Sequence, residues 1–264
     1  MICLKRFIKM LFINTRPQTR AENLSHALRM AQVEVLDLPL LELVARPWSN
    51  TLSELYQRLP STQLIVVVSP TAVEIGMDYL TKASLSLEAI QHIQWIAVGE
   101  ATAQALALYG IVAKVPLVET SEGMLQLPIL QALSAGTCIA FWRGEGGRLF
   151  MMDRLQQQGI DVLNFILYQR RCPVLTEQKI PHLLAKLAQE KQYYMVVSSE
   201  ASWINWIDLV RAGDEVVAKG HYLVLGERLY QVVSDYKKNH QACFNITRLS
   251  DLKTDSILQQ IAVV

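Results

Sequence analysis

Short apolar runs alternate along the chain with longer stretches whose apolar residues recur at helical spacing. Leu64–Val68 and Cys138–Trp142 are unbroken apolar runs, the pattern of strands covered on both faces. Leu11–Thr15 reads as a strand closed by Arg16-Pro17. Leu24, Ala27, Leu28 and Ala31 then share one helical face, and Val33–Leu36 is the next strand. Ser69 is placed to cap a helix with Pro70 at its first position; Thr71 and Glu74 offer a capping box instead. Trp95–Val98 is expected to be a strand closed by Gly99, followed by a helix through Ala101, Ala105 and Leu108 that stops at Gly110. Val112–Val115 is a further strand, and Thr120-Ser121-Glu122-Gly123 opens another helix. Later strands are expected at Ile139–Trp142, Val162–Tyr168, Tyr194–Val197 and Tyr222–Leu225. The first of these ends at Arg143-Gly144, the third at Ser198-Ser199 and the fourth at Gly226-Glu227.

The strand ends repeat. Arg16 and Arg143 are 127 residues apart, Ser69 and Ser198 are 129 apart, and Gly99 and Gly226 are 127 apart. Three landmarks in register predict two α/β units of similar topology, each a mainly parallel sheet flanked by helices. A chain of 264 residues is long enough for two domains. No Gly/Ser/Pro-rich linker separates the halves, so an ordered connection is expected.

Composition narrows the function classes. With 51% apolar and 19% charged residues the chain is not of the disordered type. Its longest apolar runs fall far short of the roughly 20 residues of a spanning helix. The formal net charge of +1 argues against a basic arm for nucleic acid and against an acidic tail. Cys3, Cys138, Cys172 and Cys243 form no CxxC pair, which suits free thiols in a reducing compartment. The N-terminus lacks a signal-peptide pattern, and Met10 directly precedes the first strand. Residues 1–9 are therefore expected to be an N-terminal extension, and the protein a cytoplasmic monomer with no membrane association.

In open α/β sheets ligands bind outside the carboxyl ends of the strands. Here those ends carry Arg16, Ser69, Gly99 with Thr102, Ser121 with Gly123, Arg143 with Gly144, Tyr168, Ser198 and Gly226. Hydroxyls, arginines and helix N-termini together suit an anionic ligand. Taken singly, each Ser or Thr is equally an N-cap and each Gly a turn. Arg143-Gly144-Glu145-Gly146-Gly147-Arg148 is the densest cluster. It lacks the Lys-Ser/Thr of a P-loop and the spacing of GxGxxG, but two arginines beside glycine amides suit a carboxylate. Tyr168 can donate a proton without carrying charge; it also reads as a buried ring with a satisfied hydroxyl. The five histidines form no HExxH, and there is no GxSxG elbow.

In order along the chain stand Asn14-Thr15-Arg16-Pro17, Ser69-Pro70-Thr71-Ala72-Val73, and Ala97-Val98-Gly99-Glu100-Ala101-Thr102-Ala103. They are followed by Ser121-Glu122-Gly123-Met124-Leu125, Arg143-Gly144 with Gly147-Arg148, and Tyr168-Gln169-Arg170. This succession, from Leu11 to about Ile261, resembles the uroporphyrinogen-III synthase family. Leu229 and Tyr230 stand where other members carry Thr-Ala.

The resemblance implies two α/β domains joined by a two-stranded linker, with the ligand cleft between them. One domain would be discontinuous, residues 10–40 plus 172–264, and the other would be residues 43–169. It implies cyclisation of hydroxymethylbilane, a linear tetrapyrrole with eight carboxylates, to uroporphyrinogen III. Water is lost to give an azafulvene, the far pyrrole attacks through its substituted carbon, and a spiro intermediate inverts that ring. No metal or organic cofactor takes part. Tyr168 would assist departure of the hydroxyl. Ser69, Thr102, Ser121 and Ser198 would orient carboxylates, with Gly99, Gly123, Gly144 and Gly226 offering backbone amides. Arg16, Arg143 and Arg148 would set the positive potential. Three rivals stay open: a two-domain small-molecule binding protein, a nucleotide-sugar or phosphate transferase, and a degenerate synthase-like regulatory domain.

Overall fold

The computed structural model describes residues 10–210 and 214–261; the extension expected at residues 1–9 lies outside them. Eleven strands are present among the described residues: β1 (Leu11–Asn14), β2 (Glu34–Asp37), β3 (Glu42–Ala45), β4 (Leu64–Val67), β5 (Gln94–Ala97), β6 (Ala113–Lys114), β7 (Cys138–Gly144), β8 (Asp161–Arg171), β9 (Tyr193–Val197), β10 (Gly220–Leu225) and β11 (Asn245–Leu249). They form two sheets, ordered β11-β10-β9-β1-β2 and β3-β8-β7-β4-β5-β6. The chain divides into two compact units. One runs to Glu42 and resumes at Arg171; the other is Leu43–Arg170. Both crossing points fall inside strands, β3 and β8, which are neighbours in the second sheet.

Each sheet is parallel through β1 with β2 and β9, β10 with β9 and β11, β4 with β5 and β7, β5 with β6, and β7 with β8. Strand for strand, β6-β5-β4-β7-β8 has the plan of β11-β10-β9-β1-β2. The repeated landmarks fall at matching places: Ser69 after β4 and Ser198 after β9, Gly99 after β5 and Gly226 after β10, Arg143 in β7 and Arg16 after β1.

The apolar runs become strands buried on both faces because successive side chains point to opposite sides. In the Leu43–Arg170 unit, Ile65, Val67, Ala140 and Trp142 join one core, while Leu64, Val66, Ile139 and Phe141 join the other. In the discontinuous unit, Ile13, Tyr193, Met195 and Val224 face one core, and Phe12, Tyr194, Val196 and Leu223 the opposite one. Ser69 caps the helix Pro70–Lys82, its hydroxyl accepting the Ala72 amide at 3.1 Å with Pro70 at the first position, so the alternative box at Thr71 is not used. The expected strand at Val112–Val115 shrinks to the two residues of β6. As an edge strand it pairs only with β5, and Val112 is open to solvent. The expected strand at Val162–Tyr168 instead continues to Arg171.

Gly76 lets the helix Pro70–Lys82 lie on β7. A Cβ there would stand 2.2 Å from a ring carbon of the fully buried Trp142. Gly76→Ala is expected to cost roughly 1–3 kcal/mol by overpacking, read as a lower urea midpoint at unchanged slope. His221 stacks on Tyr194 with ring centroids 4.8 Å apart and lies 2.8 Å from the Thr247 hydroxyl. Burial lowers its pKa below the ordinary 6.5. The imidazole is neutral in both folded and unfolded chains above that value. The unfolded chain binds the proton first as pH falls, so this contribution to stability is lost below pH 6.5. Denaturant titrations at falling pH should show the loss, and His221→Gln should flatten it.

Candidate functional site

The order of the second sheet creates a switch point. From β4 the chain moves outward to β5 and β6, whereas from β7 it moves the other way to β8, so β4 and β7 are neighbours with diverging connections. A crevice opens at their carboxyl ends, the place where such sheets bind ligands. There the structure has a cavity of about 270 Å³ whose walls include Ser69, Ser121, Arg143, Gly144, Arg148 and Tyr168. Its floor is apolar and includes Val68, Val98, Met124, Phe141, Met151 and Met152.

A bulge aims Tyr168. Arg143 pairs with Ile166, but the next residue, Gly144, pairs with Tyr168, so Leu167 is an extra residue in β8. The Leu167 carbonyl accepts the Arg46 amide at 2.8 Å, and the Tyr168 carbonyl accepts the Glu145 amide at 2.6 Å. The Tyr168 ring lies directly on Gly144, where a Cβ would stand 2.3 Å from a ring carbon. Its hydroxyl is 3.0 Å from the Ser69 hydroxyl. Ser69 already accepts the Ala72 amide. If Ser69 donates to the tyrosine oxygen, the phenolic proton is left for a ligand. Tyr168 is 2% exposed. It is thus both the buried ring with a satisfied hydroxyl and a wall of the cavity.

The three cavity arginines differ in what already holds them. Arg143 is buried and donates to the carbonyls of Gly146 and Gly147, the latter at 3.4 Å, with Nη1 3.7 Å from the Met152 sulfur. The loop can wrap it because both glycines take positive φ, +72° and +77°. The loop is closed on Arg143 by its carbonyls. Burial is the main cause that lowers the Arg143 pKa; Tyr168 opposes it and Arg170 adds to it. Arg148 is exposed and paired with Glu122 at 2.5 Å, which helps hold the Glu122 carboxyl below its ordinary pKa after the backbone hydrogen bond at Glu122 itself. Arg170 lies over the Tyr168 ring, 5.6 Å from its centroid, and donates to the Glu145 carbonyl at 3.0 Å.

The discontinuous unit has its own switch point between β9 and β1. Thr15 bridges it, donating to the Val196 carbonyl at 2.5 Å. Buried Asn14 donates to the Ser25 hydroxyl at 2.7 Å and to the Ala21 carbonyl at 3.1 Å, while its own oxygen accepts the Arg16 amide. Arg16 is half-buried, reaches the Leu252 carbonyl at 3.5 Å, and has its pKa lowered by burial and then by Arg20. Ser198 follows β9, with the helix Glu200–Leu209 capped by its neighbour Ser199. Gly226 opens the helix Gly226–Asn239 at φ +72°, a conformation that favours glycine.

A family model described as Uroporphyrinogen-III synthase HemD matches residues 22–242. The chain belongs to the uroporphyrinogen-III synthase family. Among curated relatives it is 32% identical over 158 residues to uroporphyrinogen-III synthase of Salmonella typhimurium and 30% identical over 160 residues to that of Escherichia coli. Each match covers 59% of this chain and 63% of the relative, so it spans less than two thirds of either. Among solved structures, a mutant uroporphyrinogen III synthase from the extreme thermophile Thermus thermophilus superposes with a TM-score of 0.63 at 16% identity, over 96% of this chain and 98% of that one. The synthetase from Helicobacter pylori gives 0.54 at 15% identity, over 96% and 99%. At such identities the likeness is one of fold.

Within this synthase fold several expected contacts take another form. Gly99 and the amide of Glu100 already hold a carboxylate: Glu119 accepts the Glu100 amide at 2.8 Å and fills the space a Gly99 Cβ would need. Thr102 is 1% exposed and is not among the residues that line the cavity. Its counterpart in the repeat, Leu229, is likewise buried in the core, so leucine there is a packing choice. The Gly123 amide donates to its own cap, Thr120, at 3.1 Å, and its Cα abuts the Val118 carbonyl. Sequence reading passed over Arg170 and the methionines of the floor. The spacing Tyr168-Gln169-Arg170 on a strand could have placed Arg170 beside Tyr168. Ser69→Ala removes both the cap and the partner of the Tyr168 hydroxyl; a loss of about 1 kcal/mol is expected in chemical denaturation, with Ser69→Thr close to wild type.

Proposed function

We propose that this chain is a uroporphyrinogen-III synthase that closes hydroxymethylbilane to uroporphyrinogen III. The observation that carries the reading is the cavity at the β4/β7 switch point, in a chain of this family, walled by a hydroxyl pair and arginines over an apolar floor. In this reading Tyr168 gives its proton to the departing hydroxyl as the C–O bond breaks. Ser69 and the neighbouring Arg143 steady the phenolate that remains, the kind of fixed stabilisation that matters most where charge develops. The pyrrole nitrogen supplies the electron pair and keeps its proton, and an azafulvene in its protonated, azafulvenium form and water result. The substituted carbon of the far pyrrole then bonds to it. The spiro intermediate fragments and recombines with that ring inverted. The proton lost as the last pyrrole regains aromaticity restores the tyrosine. One water leaves in total, and nothing is oxidised or reduced.

The substrate is intrinsically reactive, so the protein's main task is to hold one conformation. Ser69, Ser121, Arg143, Gly144 and Arg148 are assigned to its carboxylates, and Arg16, Ser198 and Gly226 are the groups that the discontinuous unit offers to an anion. Gly99, Thr102 and Gly123 fall outside that set, for the reasons of geometry given above. The reading takes the protein as a cytoplasmic monomer working without metal or organic cofactor. Among the described residues no helix is long and apolar enough to cross a membrane.

Freshly made hydroxymethylbilane mixed with the protein should give mainly isomer III after oxidation; isomer I alone overturns the reading. Tyr168→Phe should lower kcat by about 10²–10⁴, the usual worth of a positioned general acid, and shift product toward isomer I. Unchanged turnover and isomer ratio would remove Tyr168 from the chemistry.

A further inference from the structure

Arg170 stands apart among the cavity arginines. Arg148 has the Glu122 carboxylate. Arg143 is enclosed by loop carbonyls and the Met152 sulfur. Arg170 makes one hydrogen bond, to the Glu145 main chain, and among the described residues no carboxylate pairs with it. The Glu145 side chain is taken by Arg46 at 3.1 Å. The exposed Arg170 guanidinium lies over the Tyr168 ring at the cavity wall, and among the described residues its remaining N–H groups have no acceptor. A guanidinium with free donors at a cavity wall is suited to a carboxylate.

The cavity also limits what it can take. At about 270 Å³ it lies below the roughly 300–1,000 Å³ of sites that enclose drug-sized ligands. A linear tetrapyrrole is larger than that. A single pyrrole with two short acid arms is not. The floor of Val, Phe and three Met residues offers a flat ring an adaptable apolar bed.

Resting on the synthase reading, we propose that Arg170 is a further substrate-binding residue, taking one carboxylate of a single pyrrole ring seated over the Met151, Met152 and Phe141 floor. The other rings of the substrate lie outside this cavity. Arg170 thereby helps hold that ring beside the Tyr168 hydroxyl.

The test uses the full chain and two probes: a monopyrrole bearing one acetic and one propionic acid arm, and its dimethyl ester. The diacid should bind the wild type by calorimetry. Arg170→Ala should weaken it about tenfold or more, the worth of one charge-assisted hydrogen bond. Arg170→Lys should recover part of the loss, and the ester should bind both forms equally. With hydroxymethylbilane, Arg170→Ala should raise KM by more than it lowers kcat. Equal binding of diacid and ester to the wild type, or diacid binding unchanged in Arg170→Ala, overturns the proposal. Isomer III from the wild type with KM unmoved in Arg170→Ala defeats the Arg170 assignment alone. Isomer I alone, with diacid binding still dependent on Arg170, defeats the synthase reading and leaves the arginine's role standing. A wild type that binds no diacid rejects the single-ring seat.

Discussion

A pair of parallel strands whose connections leave in opposite directions cannot be covered by either connection at its carboxyl end. Both sheets contain such a pair, β4 with β7 and β9 with β1. The gap follows from chain topology, and the rest of the site is arranged around it. At β4/β7 the rim carries Ser69 on one strand end and Arg143-Gly144 on the other, and the bulge in β8 brings Tyr168 across to meet them. The bulge and the missing Cβ of Gly144 are one device. The extra residue turns the ring toward β7, and only a glycine leaves room for it.

Charge is managed locally. A net charge of +1 gives no long-range pull on a polyanion, yet cations gather at a strand end where the wall is apolar and hydrogen bonds are strong. Much of the anion-binding capacity is already met from within the protein. Glu119 sits at the helix start after β5, Glu122 on Arg148, and loop carbonyls on Arg143. Such internal partners keep the arginines and amides satisfied while no solute is bound. They also single out the groups that are not so engaged.

How far the pattern could be read depended on whether it was local. Buried parallel strands announce themselves as unbroken apolar runs, so β4, β7 and β9 were legible to within a residue or two at their starts. Ser69 was legible as a cap because Pro70 follows it. Thr102 was misleading: position in a helix's first turn suggests reach toward a ligand, but the residue is buried and is not in the cavity lining. The two-residue β6 was overestimated because an edge strand gains pairing on one side only. The Glu119 carboxylate on Gly99 could not be read at all, since it joins residues of two loops whose approach is decided by packing.

The duplication, the parallel α/β class and the candidate hydroxyls and arginines are written locally along the chain, because each rests on short-range periodicity, capping and strand-end chemistry. Which of them share a cavity and which are already engaged is settled by the folded packing. That choice depends on strand order, on a one-residue register shift in β8, and on side chains from distant segments competing for the same amides and guanidinium groups. A linear chain carries those contacts only through its packing.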